Sequence, residues 1–206
     1  MGWRMWTAAI LAGGQARRLG GLDKSGLTIG SGPSAHSILD RQLTVLRSLT
    51  TDILIVGGAA RGGREGLTIV PDRVAGAGAL GGVYTALMEA RTDQVLVIAC
   101  DMPFLTAPFL AHLASLGGAS SDGRPIDVVV PRDRHGRHPL CASYHRRCAP
   151  ALKARIDRGA LRVGDALEEL SVREVEPEEL STFDPDGRLL LNVNTPDDYE
   201  RAYHTE

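Results

Sequence analysis

Aromatic residues are scarce in this 206-residue chain: two Trp, four Tyr and three Phe, 4% in all. That leaves too few stacking platforms for single-stranded nucleic acid. A basic excess is missing as well, since 23 Lys and Arg stand against 25 Asp and Glu, and the net charge of −2 argues against a general nucleic-acid binder. Cysteine is sparse and irregularly spaced at 100, 141 and 148, which excludes a disulfide framework and a zinc-finger pattern and suggests a reducing compartment, the cytoplasm. No apolar run approaches the ~20 residues of a membrane span. The short apolar stretch after Trp6 ends at Ala12 and runs into glycines, so it lacks the length of a signal-peptide core.

What the chain does have is the balance of an ordinary globular protein, 43% hydrophobic and 23% charged. With so few aromatics, its core must be built from Leu, Val, Ile and Ala. Short apolar runs at Thr7–Leu11, Ile53–Val56, Thr68–Val70, Val95–Ala99 and Asp127–Val130 predict strands buried on both faces. Between and after them, Ile38–Leu46, Val83–Ala90 and Ala107–Leu116 carry apolar residues at helical spacing. Strand–helix alternation predicts an α/β fold with a mostly parallel sheet and helices on both faces. Gly57–Gly66 and Gly117–Pro125 read as loops. Beyond Pro131 come a polar turn or hairpin at Arg132–His138, a strand at Leu140–Tyr144 and a helix at Cys148–Arg158. Thr195-Pro196-Asp197-Asp198 has the composition of a helix start. Neither a linker nor a repeat divides the chain, so one domain is expected over 1–206, with a glycine-rich part at about 6–130 and a second part at about 131–206.

Three segments carry chemistry. After the first strand comes Leu11-Ala12-Gly13-Gly14-Gln15-Ala16-Arg17-Arg18-Leu19-Gly20-Gly21-Leu22-Asp23-Lys24. Glycines let backbone N–H groups approach an anion and the cations supply charge, the alternative being a flexible surface loop. Neither the dinucleotide pattern nor the P-loop fits, because Gly13 and Gly14 are adjacent and Asp23 precedes Lys24. Cys100-Asp101-Met102-Pro103 sets a carboxylate at a strand's carboxyl end, where it suits either a Mg²⁺ ligand or a cap for the next helix. Asp72 likewise follows a strand, and Gly76-Ala77-Gly78-Ala79-Leu80-Gly81-Gly82 leads from it into a helix. This is a second pocket wall or a simple turn. The six histidines show no metal spacing, and no Ser/His/Asp triad is assigned.

Taken together, these residues resemble the molybdenum cofactor guanylyltransferase family. Its pattern L-A-G-G-x-x-x-R-x-G-x-x-K is present as Leu11, Ala12, Gly13, Gly14, Arg18, Gly20 and Lys24. Cys100-Asp101-Met102-Pro103 matches its C-D-x-P element, His138-Pro139-Leu140 with Tyr144 its H-P-L element, and Asn192-Val193-Asn194-Thr195-Pro196 its N-V-N-T-P ending. Gly159–Val163, with Arg162, resembles a basic turn near the substrate pocket. The resemblance spans Leu11 to Tyr199 and implies a single nucleotidyltransferase domain that moves GMP from GTP to the terminal phosphate of molybdopterin. Leu11, Ala12, Gly13 and Gly14 would contact base and ribose, Arg18 and Lys24 would neutralise the triphosphate, Asp72 would hold the nucleoside, and Asp101 would bind Mg²⁺. His138, Arg162, Asn192 and Asn194 would face molybdopterin, with Asn192 or Asn194 alternatively completing the metal shell. A molybdenum insertion protein and apo-molybdoenzymes are the implied partners, with neither nucleic acid nor membrane among them.

Two positions depart from the pattern. Where the family often places Asn after its second strand, this chain reads Ile55-Val56-Gly57-Gly58, and where it commonly has G-P-L, this chain has Gly78-Ala79-Leu80. Both changes touch base recognition, and both leave the phosphate-binding residues intact. The reaction class is thus better specified than the base. A molybdopterin cytidylyltransferase is the nearest rival, followed by another small-molecule nucleotidyltransferase such as one acting on sugar 1-phosphates. A non-catalytic nucleotide- or molybdopterin-binding accessory protein is the rival from another class.

Overall fold

Ala8, Ala9, Ile10 and Leu11 offer water nothing polar, so an extended segment made of them is stable only with both faces covered. In the computed structural model, which describes residues 6–12, 28–29, 36–57, 67–120, 123–193 and 197–198, that is their setting. They form β1 (Thr7–Leu11), every residue of which is buried. A two-residue pair, β2 (Thr28–Ile29) and β3 (His36–Ser37), precedes α1 (Ile38–Arg47). The Ser37 hydroxyl caps α1 by accepting from the Asp40 N–H at 3.1 Å. β4 (Ile53–Val56) and β5 (Thr68–Val70) follow, then α2 (Gly78–Glu89), β6 (Gln94–Ala99) and α3 (Ala107–Ser115).

The second half adds a small pair, β7 (Gly118–Ala119) with β8 (Pro125–Ile126), inside the segment expected to be a plain loop. Then come β9 (Val128–Asp133), β10 (Gly136–Arg137), β11 (Cys141–His145), α4 (Ala149–Asp157), α5 (Val163–Ala166), β12 (Val172–Val175) and α6 (Pro177–Leu180). The main sheet has the order β10-β9-β11-β6-β1-β4-β5, with β12 added to β9. β5, β4, β1 and β6 are mutually parallel, with Ile10 of β1 level with Ile55 of β4 and Ile98 of β6. β11 runs antiparallel to both β6 and β9, and β12 is parallel to β9. The chain is a single α/β domain whose sheet is mostly parallel, as expected. β9 runs without a break across position 131.

Alternation along each strand sorts the core into two layers. Ala9, Leu11, Val95 and Val97 pack with Leu80, Val83 and Leu87 of α2 and Leu152 and Ile156 of α4. Ala8, Ile10, Leu96 and Ile98 pack with Leu43 and Leu46 of α1 and Phe109, Leu110 and Leu113 of α3. α2 begins at Gly78, five residues before the expected Val83. Glycine is a poor helix former, but an ideal Cβ on Gly82 would lie 3.3 Å from the Leu11 side chain. Close packing of α2 on β1 therefore outweighs propensity.

Candidate active site

From β1 the chain builds outward to β4 and β5, then crosses back to lay β6 on the other side of β1. In such sheets a crevice opens beyond the carboxyl ends of the strands, where the order reverses. A cavity of about 110 Å³ lies there, lined by Leu11, Val56, Asp72, Gly78, Ala79, Gly82, Ala99, Cys100, Asp101 and Leu140. Leu11, Asp72 and Asp101, 90 positions apart at the extremes, thus meet in one place. Ala12 continues β1 at its rim, and its N–H donates to the Val56 carbonyl at 2.9 Å. Gly13, Gly14, Arg18, Lys24 and Asn194 lie outside the described residues.

Asp101 stands two residues beyond β6, in a turn held at several points. The Cys100 N–H donates to the Leu11 carbonyl at 3.2 Å, and the Val193 N–H donates to the Asp101 carbonyl at 2.8 Å. From α1, the Gln42 amide reaches the carbonyls of Ala99 and Met102. Asp101 does not cap the next helix, since the residue at the start of α3 is Thr106. Asp72, in the loop after β5, has its carboxyl pushed above the usual range by partial burial. The next residue is fixed by a buried hydroxyl: the Arg73 N–H donates to Thr85 Oγ1 at 3.0 Å, and Thr85 donates to the Gly81 carbonyl at 2.8 Å.

α2 aims its N-terminus at this cavity. Gly76 and Gly78 have φ of +78° and +59°, a region favourable only to glycine, and they turn the chain into the helix. The N-cap residue of α2, Ala77, has no side-chain group to cap it, and no acid stands in the first turn. Its leading N–H groups, at the positive end of the helix dipole, make an anion-binding surface beside two carboxylates. That combination suits a metal-bound phosphate.

The residues expected to face the acceptor are divided. Because β11 is antiparallel to β6, its amino end lies at the edge where its neighbours end. This puts His138-Pro139-Leu140 beside Asp101: Leu140 lines the cavity, and the Ala99 N–H donates to its carbonyl at 2.7 Å. The Tyr144 hydroxyl, fully buried, donates to the Pro139 carbonyl at 2.7 Å. His138 Nε2 lies 3.0 Å from Asp133 Oδ2. Burial alone would raise the Asp133 carboxyl, but the adjacent His138 imidazole and a hydrogen bond from the His135 N–H bring it below the usual range. Asn192 precedes the residue bonded to Asp101, and its Oδ1 is buried with no hydrogen-bond partner among the described residues. His138 and Asn192 do not themselves line the cavity, and neither does Arg162. It precedes α5 with its side chain 87% exposed, 4.0 Å from Asp165.

Among the described residues, no group of three or more His, Cys, Asp or Glu forms a metal cage. The cavity is lined by two hard-oxygen donors, the Asp101 and Asp72 carboxylates, and the Asn192 amide oxygen, without a hydrogen-bond partner among the described residues, precedes the residue bonded to the Asp101 carbonyl. This set fits Mg²⁺, which takes one or two carboxylates and completes its shell with water and substrate phosphate.

Sequence reading missed Gln42, Thr85 and Asp133. Gln42 did leave a signal, as a lone amide on the apolar face of α1.

Residues 8–172 match the family model described as the MobA-like NTP transferase domain. A probable molybdenum cofactor guanylyltransferase of Pelotomaculum thermopropionicum is 35% identical over 199 residues, covering 95% of this chain and 91% of that protein. The molybdenum cofactor guanylyltransferase of Mesorhizobium japonicum is also 35% identical, over 202 residues, covering 94% and 92%. Among solved structures, molybdopterin-guanine dinucleotide biosynthesis protein A from Archaeoglobus fulgidus superposes with a TM-score of 0.79 at 26% identity, covering 97% of each chain. A 2-C-methyl-D-erythritol 4-phosphate cytidylyltransferase from Thermus thermophilus shares the fold at TM-score 0.64 and 14% identity, covering 95% of this chain and 96% of that one.

Proposed function

Since the chain belongs to the MobA-like NTP transferase family, we propose that it transfers GMP from GTP to the terminal phosphate of molybdopterin and releases pyrophosphate. The observation that carries this reading is the convergence of Leu11, Asp72, Asp101 and the open N-terminus of α2 in one cavity. An oxygen of the acceptor phosphate attacks the α-phosphorus in line. A new P–O–P linkage forms, the bond to the α–β bridging oxygen breaks, and pyrophosphate leaves with its electron pair. The nucleophile is already ionised at neutral pH, so no strong general base is needed.

Charge crowding is the main barrier. At an effective dielectric of ~20, one pair of unit charges ~4 Å apart is worth about 4 kcal/mol before desolvation costs. Arg18 and Lys24 are assigned to the triphosphate, and the α2 N-terminus adds its fixed dipole to theirs. Asp101, with Asn192, would hold Mg²⁺, which when bound supplies further charge neutralisation between the two anions. His138, kept in place beside Asp133, faces the acceptor phosphate in this scheme. The product passes to apo-molybdoenzymes after the acceptor arrives from a molybdenum insertion protein, in the cytoplasm. No helix among the described residues is long and apolar enough to cross a membrane.

The base is the finer question. Val56, in the run Ile55–Gly58 where the resemblance leads one to expect an Asn, and Ala79, in place of Pro, line the cavity, and neither offers the base a side-chain hydrogen bond. Pyrophosphate release with molybdopterin and each of GTP, CTP, ATP and UTP decides it. Preference for GTP supports the proposal, and preference for CTP replaces the product while keeping the reaction class. Asp101→Asn should cut pyrophosphate release by about 100-fold or more while weakening GTP binding only several-fold, as loss of a transition-state contact does. Small, equal effects on both would favour a binding protein without turnover.

A further inference from the structure

The face that α1 turns to the core is apolar at Ile38, Leu43 and Leu46, and the remaining buried residue on it is Gln42, only 3% exposed. Burying an amide costs free energy unless it is bonded, and a leucine there would pack without that cost. The Gln42 amide nitrogen donates to the Ala99 carbonyl at 2.8 Å and to the Met102 carbonyl at 3.0 Å. Those two carbonyls bracket Cys100 and Asp101. Both N–H donors of the amide are therefore spent on the two ends of the turn that presents Asp101.

Among the described residues, the same turn is also anchored by Cys100 N–H to the Leu11 carbonyl and by Val193 N–H to the Asp101 carbonyl. Among these three anchors of the described residues, Gln42 comes from a helix, a rigid element packed on the sheet through Leu43 and Leu46. Glutamine is well matched to this position, because its reach from α1 spans both carbonyls with two donors from one atom and it brings no charge near a carboxylate. A hydroxyl offers one donor, and an asparagine is shorter by a methylene.

We propose that Gln42 is the positioning residue for Asp101, fixing the turn so that the carboxylate is already in place when the metal–nucleotide complex binds. The idea rests on the reading of Asp101 as a metal ligand. Holding a ligand before binding removes its ordering cost from the binding step and keeps it within a fraction of an ångström of the productive place. Loss of the clamp then weakens metal binding and turnover together, while nucleotide contacts made elsewhere persist.

The test compares Gln42→Met, which keeps volume and removes both donors, with Gln42→Asn and with Asp101→Asn as reference. Readouts are melting temperature, binding of Mn²⁺ with a non-hydrolysable GTP analogue by calorimetry, binding of that analogue without metal, and kcat and KM for GTP. Expected for Gln42→Met are Mn²⁺ binding weakened ~5-fold or more, kcat lowered ~10-fold or more, and analogue binding without metal unchanged. Gln42→Asn, which keeps a donor, should fall between this variant and the original, and it carries the test if Gln42→Met does not fold. If Asp101→Asn loses Mn²⁺ while both Gln42 variants bind it normally and only melt lower, Gln42 is structural and the proposal fails. If Asp101→Asn leaves Mn²⁺ binding intact, the metal-ligand reading of Asp101 falls, and the role of Gln42 falls with it.

Discussion

Filling the space at Gly82 tests whether the cavity depends on α2 lying close to β1. A Cβ built there would meet Leu11 Cδ2 at 3.3 Å and Cδ1 at 3.4 Å, inside the ~3.5–4.0 Å of a comfortable carbon contact. In Gly82→Ala, relief of helical glycine returns about 1 kcal/mol, while crowding of Leu11 costs about the same. Global stability should therefore change by less than about 1 kcal/mol in urea unfolding. Gly82→Val adds two methyls and a stiff β-branch, and its overpacking should cost about 1–3 kcal/mol. Gly82 and Leu11 both line the 110 Å³ cavity, so a displaced Leu11 changes the shape of the space that would take the ligand. Loss of about 1.4 kcal/mol of contact is a tenfold loss of affinity. We expect Gly82→Ala to weaken GTP binding ~3–10-fold and Gly82→Val more than ~10-fold, by calorimetry on protein shown to be folded. Wild-type affinity in a folded Gly82→Val would refute the placement of the nucleotide against Leu11.

Thiol chemistry offers an independent probe of the same cavity. Cys141 and Cys148 are buried, with the Cys148 thiol pushed up to about 12 by burial and Cys141 pushed higher still, whereas Cys100 is half-buried at the cavity wall. One thiol should therefore react with a disulfide reagent in the native protein and three after unfolding, with nucleotide slowing the native reaction. Two fast thiols, or no protection by GTP, would count against the site. A further expectation concerns acid stability. A hydrogen bond from Arg137 holds the Glu174 carboxyl below its ordinary 4.5, against the opposing effect of burial. The unfolded chain then takes up a proton near pH 4.5 while folded Glu174 does not, so the contribution is present above that pH and is lost as pH falls through the lowered value. Arg137→Gln should thus lower stability at pH 7, and its gap to the original protein should close as acid unfolding is followed below pH 4.5. A gap that widens in acid would contradict the assignment.

The strands were legible because both-face burial leaves a local trace: a continuous apolar run needs no partner to be recognised. β1, β4 and β5 have the bounds expected from composition alone. β12 was not seen, since Val172-Arg173-Glu174-Val175 puts two charged residues at the edge of the sheet and is short. The first turn of α2 was missed for a different reason. Gly81 and Gly82 argue against a helix locally, and the packing against Leu11 that requires a glycine lies about 70 positions away.

Glycines and carboxylates after strand ends are legible locally as chemistry suited to an anion and a metal, and the resemblance carried by the motifs supplied the reaction class. Which of these residues share a cavity depends on the topology of the sheet. The reversal at β1 and β6 brings Asp72 and Asp101 to one rim, and the antiparallel course of β11 turns His138–Leu140 towards it. Strand direction and crossover side leave no local mark in composition. They follow from how the whole sheet buries its two faces, which is also why a buried glutamine on α1 acquires a purpose only once β6 ends beside it.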